Sequence, residues 1–407
     1  MLFHNQTGDQ RQIAHFDLDC FFVSVECLKD ARLKGRPLLV GGGERGVVAA
    51  CSYEARRFGI HSAMPMKLAR RLCPEATILR GDFESYSKYS QLVTEIIGDS
   101  VPLFEKASID EFYLDLSGMD RFLGVRKYTG ELKQKVLKES GLPVSYALAS
   151  NKLISKVATN EGKPDGQLEI PFGMERAFLA PLSIAKLPGI GKETAYKLVR
   201  RGVEKIQTLS RIPVEMLEAM LGKTGVELWR KANGLDESLV VPYREQKSIS
   251  TENTFQTDTI NMDFLHAQLV RMAESVGFEL RKQDRLTGCV TVKLRYSNFD
   301  TVVKQKTIDF TGSDETLLRI ARELFDKLYD RRLLVRLLGI RLTRLVPGNY
   351  QIKLYEDTQE SVRLYQSIDS IKRQFGEKAL MRAVGLEKYT ARLPVLAYPV
   401  ESGQKKM

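Results

Sequence analysis

The spacing of apolar residues changes rhythm twice along this chain, and no single fold accommodates all three patterns. From Gln12 to about Thr159, short apolar strands alternate with amphipathic helices, which indicates an α/β unit. From Ala180 to Asn233 the pattern is wholly helical, with short glycine-containing breaks. A polar, proline-containing stretch from Leu239 to Lys247 then reads as a linker. Beyond it the order becomes β-α-β-β-α-β, the split βαβ pattern. Within that module Val290, Val292, Leu294 and Tyr296 alternate with Thr291, Lys293, Arg295 and Ser297. Such alternation predicts a sheet with one buried face and one polar, partly basic face. After Pro347 one further helix is expected, from Glu360 to Phe375. The chain is 407 residues long, enough for several separate cores.

Composition narrows the partners. A formal charge of +11 fits a polyanion such as nucleic acid, with simple solubility as the plainer reading. The cysteines number five, an odd count without a C-x-x-C pair, and the four histidines are scattered. That pattern argues against a disulfide framework or a zinc ribbon and for a reducing compartment. The first ten residues lack the basic end and apolar core of a signal peptide, and no apolar run is long enough for a bilayer. A cytoplasmic protein without a membrane partner is therefore expected.

The candidate chemistry lies in acidic residues. Asp17-Leu18-Asp19 closes the first apolar strand, and Ser108-Ile109-Asp110-Glu111 opens a later one. Two such clusters joined by one sheet suit the paired divalent ions of nucleotide polymerisation. One ion lowers the pKa of an attacking 3′-hydroxyl and the other neutralises the triphosphate. Hard oxygen donors favour magnesium. Acidic residues at strand ends also serve as caps and turn formers, and Asp19, just before a helix, reads as an N-cap.

Four blocks add context: D-L-D-C-F-F-V-S-V-E, C-S-Y-E-A-R-R-F-G-I-H-S-A-M-P, S-I-D-E-F-Y-L-D-L and S-N-K-L-I-S-K-V-A-T-N. In this order they resemble the signature blocks of the Y-family, or translesion, DNA polymerases, and the resemblance runs from about Gln12 to Val346. It implies an α/β multidomain, right-handed polymerase. Residues 1–28 and 82–175 would form a palm, 29–81 small fingers, and 176–240 a helical thumb. Residues 241–247 would be the linker, 248–346 the little finger and 347–407 a tail. The implied activity is error-prone, template-directed DNA synthesis from deoxynucleoside triphosphates.

The same resemblance assigns roles. Asp17, Asp110 and Glu111, with the carbonyl of Leu18, would hold two Mg2+ ions. Phe21 and Phe22 would lie at the nucleotide, Phe22 as the steric gate against a ribose 2′-hydroxyl. Tyr53, Arg56 and Lys152 would touch the triphosphate, for which a guanidinium is well suited. Val47, Ala49 and Ala50 would roof the nascent base pair. Apart from the resemblance, Phe22 reads as a core residue on an amphipathic helix, and the basic residues read as solvated charges.

Contacts to primer-template DNA are expected elsewhere. Leu187-Pro188-Gly189-Ile190-Gly191-Lys192 reads as a helix-hairpin-helix, in which Gly189 and Gly191 let backbone amides approach a phosphate beside Lys192. Arg336 and Arg341 are the candidates on the last strand, as phosphate contacts that position without reading sequence. Gln351-Ile352-Lys353-Leu354-Tyr355 resembles a sliding-clamp peptide, with Gln351, Leu354 and Tyr355 as its contacts. On that reading the protein acts as a monomer, and deletion after Val346 lowers processivity only when a clamp is loaded. The tail helix, with Arg363, Lys372 and Arg373, reads either as a further DNA contact or as a solvated face.

Overall fold

Strand β1 (Ile13–Leu18) is buried along its whole length because both of its faces are covered. It pairs antiparallel with β6 (Glu111–Asp115) and β7 (Val144–Ala149). Strands β5 (Phe104–Lys106) and β8 (Gln167–Glu169) complete a five-stranded sheet in the order β5-β6-β1-β7-β8. The period of two along a strand sends Ala14, Phe16 and Leu18 to one face. There they pack with residues of α1 (Phe21–Lys29), α4 (Phe83–Gly98) and α5 (Val125–Ser140). Ile13, His15 and Asp17 face the other side, where α6 (Lys152–Gly162) lies, and the Thr159 hydroxyl donates to the His15 carbonyl at 3.0 Å. The computed structural model describes residues 11–43, 45–119, 124–242, 245–329, 333–348 and 358–385.

A separate small sheet, in the order β3-β2-β4, is built from β2 (Leu38–Gly41), β3 (Val48–Cys51) and β4 (Thr77–Leu79). With α2 (Tyr53–Arg56) and α3 (Met66–Leu72) it closes its own core of Leu39, Val48, Cys51, Ala55, Met66 and Ala69. The helical segment follows as α7 (Glu175–Leu179), α8 (Lys192–Val199), α9 (Ile206–Arg211), α10 (Val214–Leu221) and α11 (Lys223–Ala232). Leu187, Leu198, Leu209, Leu217 and Leu228 form its centre. These parts belong to one unit that ends at Arg244, and a second unit begins at Glu245.

The second unit has the expected β-α-β-β-α-β order. Its elements are β9 (Ser248–Thr259), α12 (Met262–Lys282), β10 (Arg285–Tyr296), β11 (Thr301–Thr311), α13 (Asp314–Leu328) and β12 (Val335–Pro347). The sheet is antiparallel in the order β11-β10-β12-β9. Val290, Val292, Leu294 and Tyr296 are fully buried, as their alternation predicts.

The tail helix α14 (Thr358–Phe375) presents a buried face that corrects the reading of Lys372 alone. Tyr365, Asp369 and Lys372, spaced at helical intervals, are buried against the second unit. The Arg281 guanidinium, on α12, is bridged between Asp314 (2.6 Å) and Asp369 (2.8 Å), and it lies 4.7 Å from the centre of the Tyr365 ring. The Lys372 ammonium sits over the Phe278 ring at 5.6 Å, so this lysine is neither solvated nor free for DNA, whereas Arg363 and Arg373 are exposed. Deletion after Val346 therefore removes a packed element as well as a peptide. Replacing Asp369 by Ala leaves a buried guanidinium with one carboxylate. We expect the second unit to lose about 3 kcal/mol, since breaking a buried pair strands its partner. Urea unfolding should detect this, with exposed Arg373→Ala within about 0.5 kcal/mol of the parent.

Candidate active site

Strand register brings the acids together. β1 and β6 set Asp17 opposite Glu111, and the Leu18 amide donates to the Asp110 carbonyl at 3.0 Å. A carboxylate oxygen of Asp17, one of Glu111 and a ring nitrogen of His15 lie within 4.8 Å of one another. Like charges directly opposite on neighbouring strands destabilise a sheet unless a counter-charge is near. Two lysines supply it here. Lys163 pairs with Asp17, and Lys156, from α6, lies 2.6 Å from both oxygens of Glu111. Burial pushes the Asp17 carboxyl up to about 6 in spite of Lys163, and the charges of Glu111 and Asp110 push the same way.

The neighbours of this pair differ in kind. Asp110 is half-buried, and its carboxylate accepts from the Ser108 hydroxyl at 2.5 Å. His15 is fully buried, with its ring 4.7 Å from that of Tyr113. Burial, then the charges of Lys156, Lys163 and Lys152, holds its pKa well below the ordinary value, so the imidazole is neutral. Oxygen donors that carry surplus negative charge at one point, and that already attract two ammonium groups, fit a hard divalent cation.

Phe22 is half-buried and stacks on Tyr86, with ring centres 4.3 Å apart and planes 14° apart; Phe83 meets it edge-on at 5.6 Å. Tyr86 is itself fixed by donating to Glu26 at 2.8 Å. Phe22 thus has a rigid backing and one open side. Phe21 differs: it is 3% exposed and belongs to the main core, so its ring is not placed to meet a nucleotide. In the small sheet, buried Val48 alternates with exposed Val47 and Ala49, and Ala50 is half-buried. Tyr53 and Arg56 share a face of α2, with the guanidinium 5.2 Å from the Tyr53 ring.

Lys152 requires a correction. It is 7% exposed, pairs with buried Glu105 at 2.6 Å, and lies 4.5 Å from the centre of the Tyr113 ring. Glu105 also accepts from the Val241 amide at 2.9 Å. This lysine fastens the chain around Val241 to the sheet and is not free to meet a triphosphate. The cations beside the acids are Lys156 and Lys163. Lys156 stands one helical turn after Lys152 in the same block, and Lys163 opens a Lys-Pro-Asp-Gly turn, a recognisable signal of chain reversal.

In the helical segment Gly189 has φ +100°, a conformation that favours glycine, and a Cβ at Gly191 would meet open space. Gly191 is the N-cap of α8, and Lys192 beside it is exposed. In the second unit Arg341 is exposed opposite Thr291, while Arg336 is half-buried over the Phe299 ring at 4.6 Å. The proposed clamp contacts Gln351, Leu354 and Tyr355 lie outside the described residues. No helix among the described residues is long and apolar enough to cross a membrane.

Comparison with known proteins agrees with this architecture. Residues 16–160 match the impB/mucB/samB family, and residues 246–354 match its C-terminal domain. Residues 185–236 match the thumb domain of DNA polymerase-iota. A DNA polymerase IV of Dehalococcoides mccartyi is 38% identical over 374 residues, which cover 90% of this chain and 95% of that protein. A DNA polymerase IV of Methanoculleus marisnigri is 37% identical, over 84% of this chain and 96% of that protein. The solved structure of a Y-family DNA polymerase chimera superposes with a TM-score of 0.75 at 25% identity, covering 83% of this chain and all of the other. The chain therefore belongs to the impB/mucB/samB family, the Y-family of translesion DNA polymerases.

Replacing Lys152 by Met separates its two readings. We expect a loss of about 3 kcal/mol in stability from the stranded Glu105, with the KM for a deoxynucleotide unchanged. Thermal unfolding and steady-state kinetics on the same preparation measure both.

Proposed function

We propose that the chain extends a primer on template DNA with two divalent cations, magnesium being the expected metal, held by Asp17, Asp110, Glu111 and the Leu18 carbonyl. The observation that supports this reading is the opposition of Asp17 and Glu111 across β1 and β6, which gathers carboxylate oxygens at one point beside Lys163 and Lys156. When bound, the cations would lower the pKa of the primer 3′-hydroxyl and neutralise the triphosphate.

The protein's own groups do the rest. Lys156 and Lys163 keep positive charge beside the carboxylates, where the negative charge of a triphosphate has to be accommodated. Arg56 offers its guanidinium from the small sheet's side, and Tyr53, whose O–H is donated to Asp19, lines the same face with its ring. Phe22, held from behind by Tyr86, presents a flat ring that would collide with a ribose 2′-hydroxyl. Val47, Ala49 and Ala50 give a low roof over the template base, roomy enough for a damaged one. Gly189, Gly191 and Lys192, with Arg336 and Arg341, grip DNA phosphates without reading sequence. Gln351, Leu354 and Tyr355 would bind a sliding clamp.

The test is extension of a primed template by the parent, Glu111→Ala and Phe22→Ala. Loss of a ligand to the reacting centre should cost Glu111→Ala at least roughly a thousandfold in kcat. Phe22→Ala should retain DNA synthesis and incorporate ribonucleotides. Undiminished extension by Glu111→Ala would remove the metal assignment, and unchanged sugar discrimination by Phe22→Ala would remove the gate.

A further inference from the structure

Asp19, expected from sequence to cap the helix that follows it, does not do so. Cys20 occupies the N-cap position of α1 at φ 45°, with no side-chain cap bond. The Asp19 carboxylate points elsewhere and is almost fully buried at 3% exposure. It accepts from the Tyr53 hydroxyl at 3.1 Å, the Ser145 hydroxyl at 2.8 Å and the Asp165 amide at 2.9 Å. Ser145 in turn accepts from the Gly166 amide at 3.0 Å and is the strand partner of Asp17.

One carboxylate thus joins three pieces: the central sheet through Ser145, the start of α2 through Tyr53, and the turn after Lys163 through Asp165. We propose that Asp19 is a positioning residue for the incoming nucleotide, holding Tyr53 and the Lys163 turn at a fixed separation. This rests on the nucleotide roles proposed above for Tyr53 and Lys163. Asp19 touches no reacting atom; it acts through the two groups that do bind.

An ionised carboxylate has enough lone pairs to accept all three donors at once. Asparagine has the same shape but one acceptor oxygen and no charge; with that oxygen toward the Asp165 amide, its N–H₂ group faces the Tyr53 hydroxyl, which must then accept instead of donating. The Tyr53 phenol is pushed well above its usual range by burial and then by Asp19, so it remains a donor. The turn has a second anchor, because buried Lys133 on α5 pairs with the Asp165 carboxylate at 2.6 Å and donates to its carbonyl at 2.8 Å. Asp19→Asn therefore loosens the turn without releasing it.

The experiment measures kcat and KM for one deoxynucleotide, together with primer-template affinity and melting temperature. It compares the parent, Asp19→Asn, Tyr53→Phe and the double variant. Asp19→Asn should raise KM about tenfold, the scale of a hydrogen bond to a charged group, with kcat within about twofold and DNA affinity unchanged. Tyr53→Phe should raise KM less, and Asp19→Asn should do less in that background than in the parent. An unchanged KM with a lower kcat or melting temperature would make Asp19 merely structural and overturn the proposal, as would full additivity in the double variant. If Asp19→Asn does not fold, an unchanged KM in Tyr53→Phe overturns it. A parent that extends no primer would instead refute the polymerase reading on which the proposal stands.

Discussion

Two carboxylates that face each other across adjacent strands cost energy unless positive charge lies between or beside them, and much of the first unit answers that constraint. Strand register imposes the opposition of Asp17 and Glu111, because β1 is hydrogen-bonded on both sides and a one-residue slip would drive His15 and Asp17 into the apolar core. α6 and the turn that follows it then carry Lys156 and Lys163 to the same point. In the protein alone these ammonium groups satisfy the acids. A site that binds cations and a polyanionic substrate together needs both signs of charge at close quarters, and this arrangement has them ready.

The surrounding contacts read as means of holding that point steady. Asp19 ties the Lys163 turn and Tyr53 to the central sheet. Glu105 and Lys152 close the far edge of the sheet and fasten the chain around Val241. Phe22 is backed by Tyr86, which Glu26 orients in turn. Buried polar groups such as these cost stability when one partner is removed, which gives each of them a measurable signature distinct from that of a ligand contact.

Much of this was legible in the sequence. The change of rhythm near Ala180 and again near Leu239 located the helical segment and the split βαβ module, since apolar spacing reports which face is buried. The alternation through Val290 and Tyr296 gave the buried face of that sheet correctly. Lys152, Lys156, Lys163 and Asp19 were harder, because a charged residue looks alike in sequence whether it is solvated, paired in the interior or aimed at a substrate. Which lysine meets Asp17 depends on a turn some 146 residues away, here bonded by Asp165 to Asp19. The buried face of α14 was missed for a similar reason: Asp369 and Lys372 are polar, and only the position of Arg281 and Phe278 makes them interior residues.

Whether Asp17 and Glu111 form one cation site can be read from the binding of Mn2+, followed by electron paramagnetic resonance across a pH series. Because burial lifts the Asp17 carboxyl to about 6, the parent should bind Mn2+ well near neutral pH. Binding should weaken as the pH falls through that value, when a proton competes for the same oxygen. Asp17→Asn should bind weakly throughout. Equal binding by parent and variant, with no dependence on pH in this range, would mean that these two carboxylates do not hold the cation.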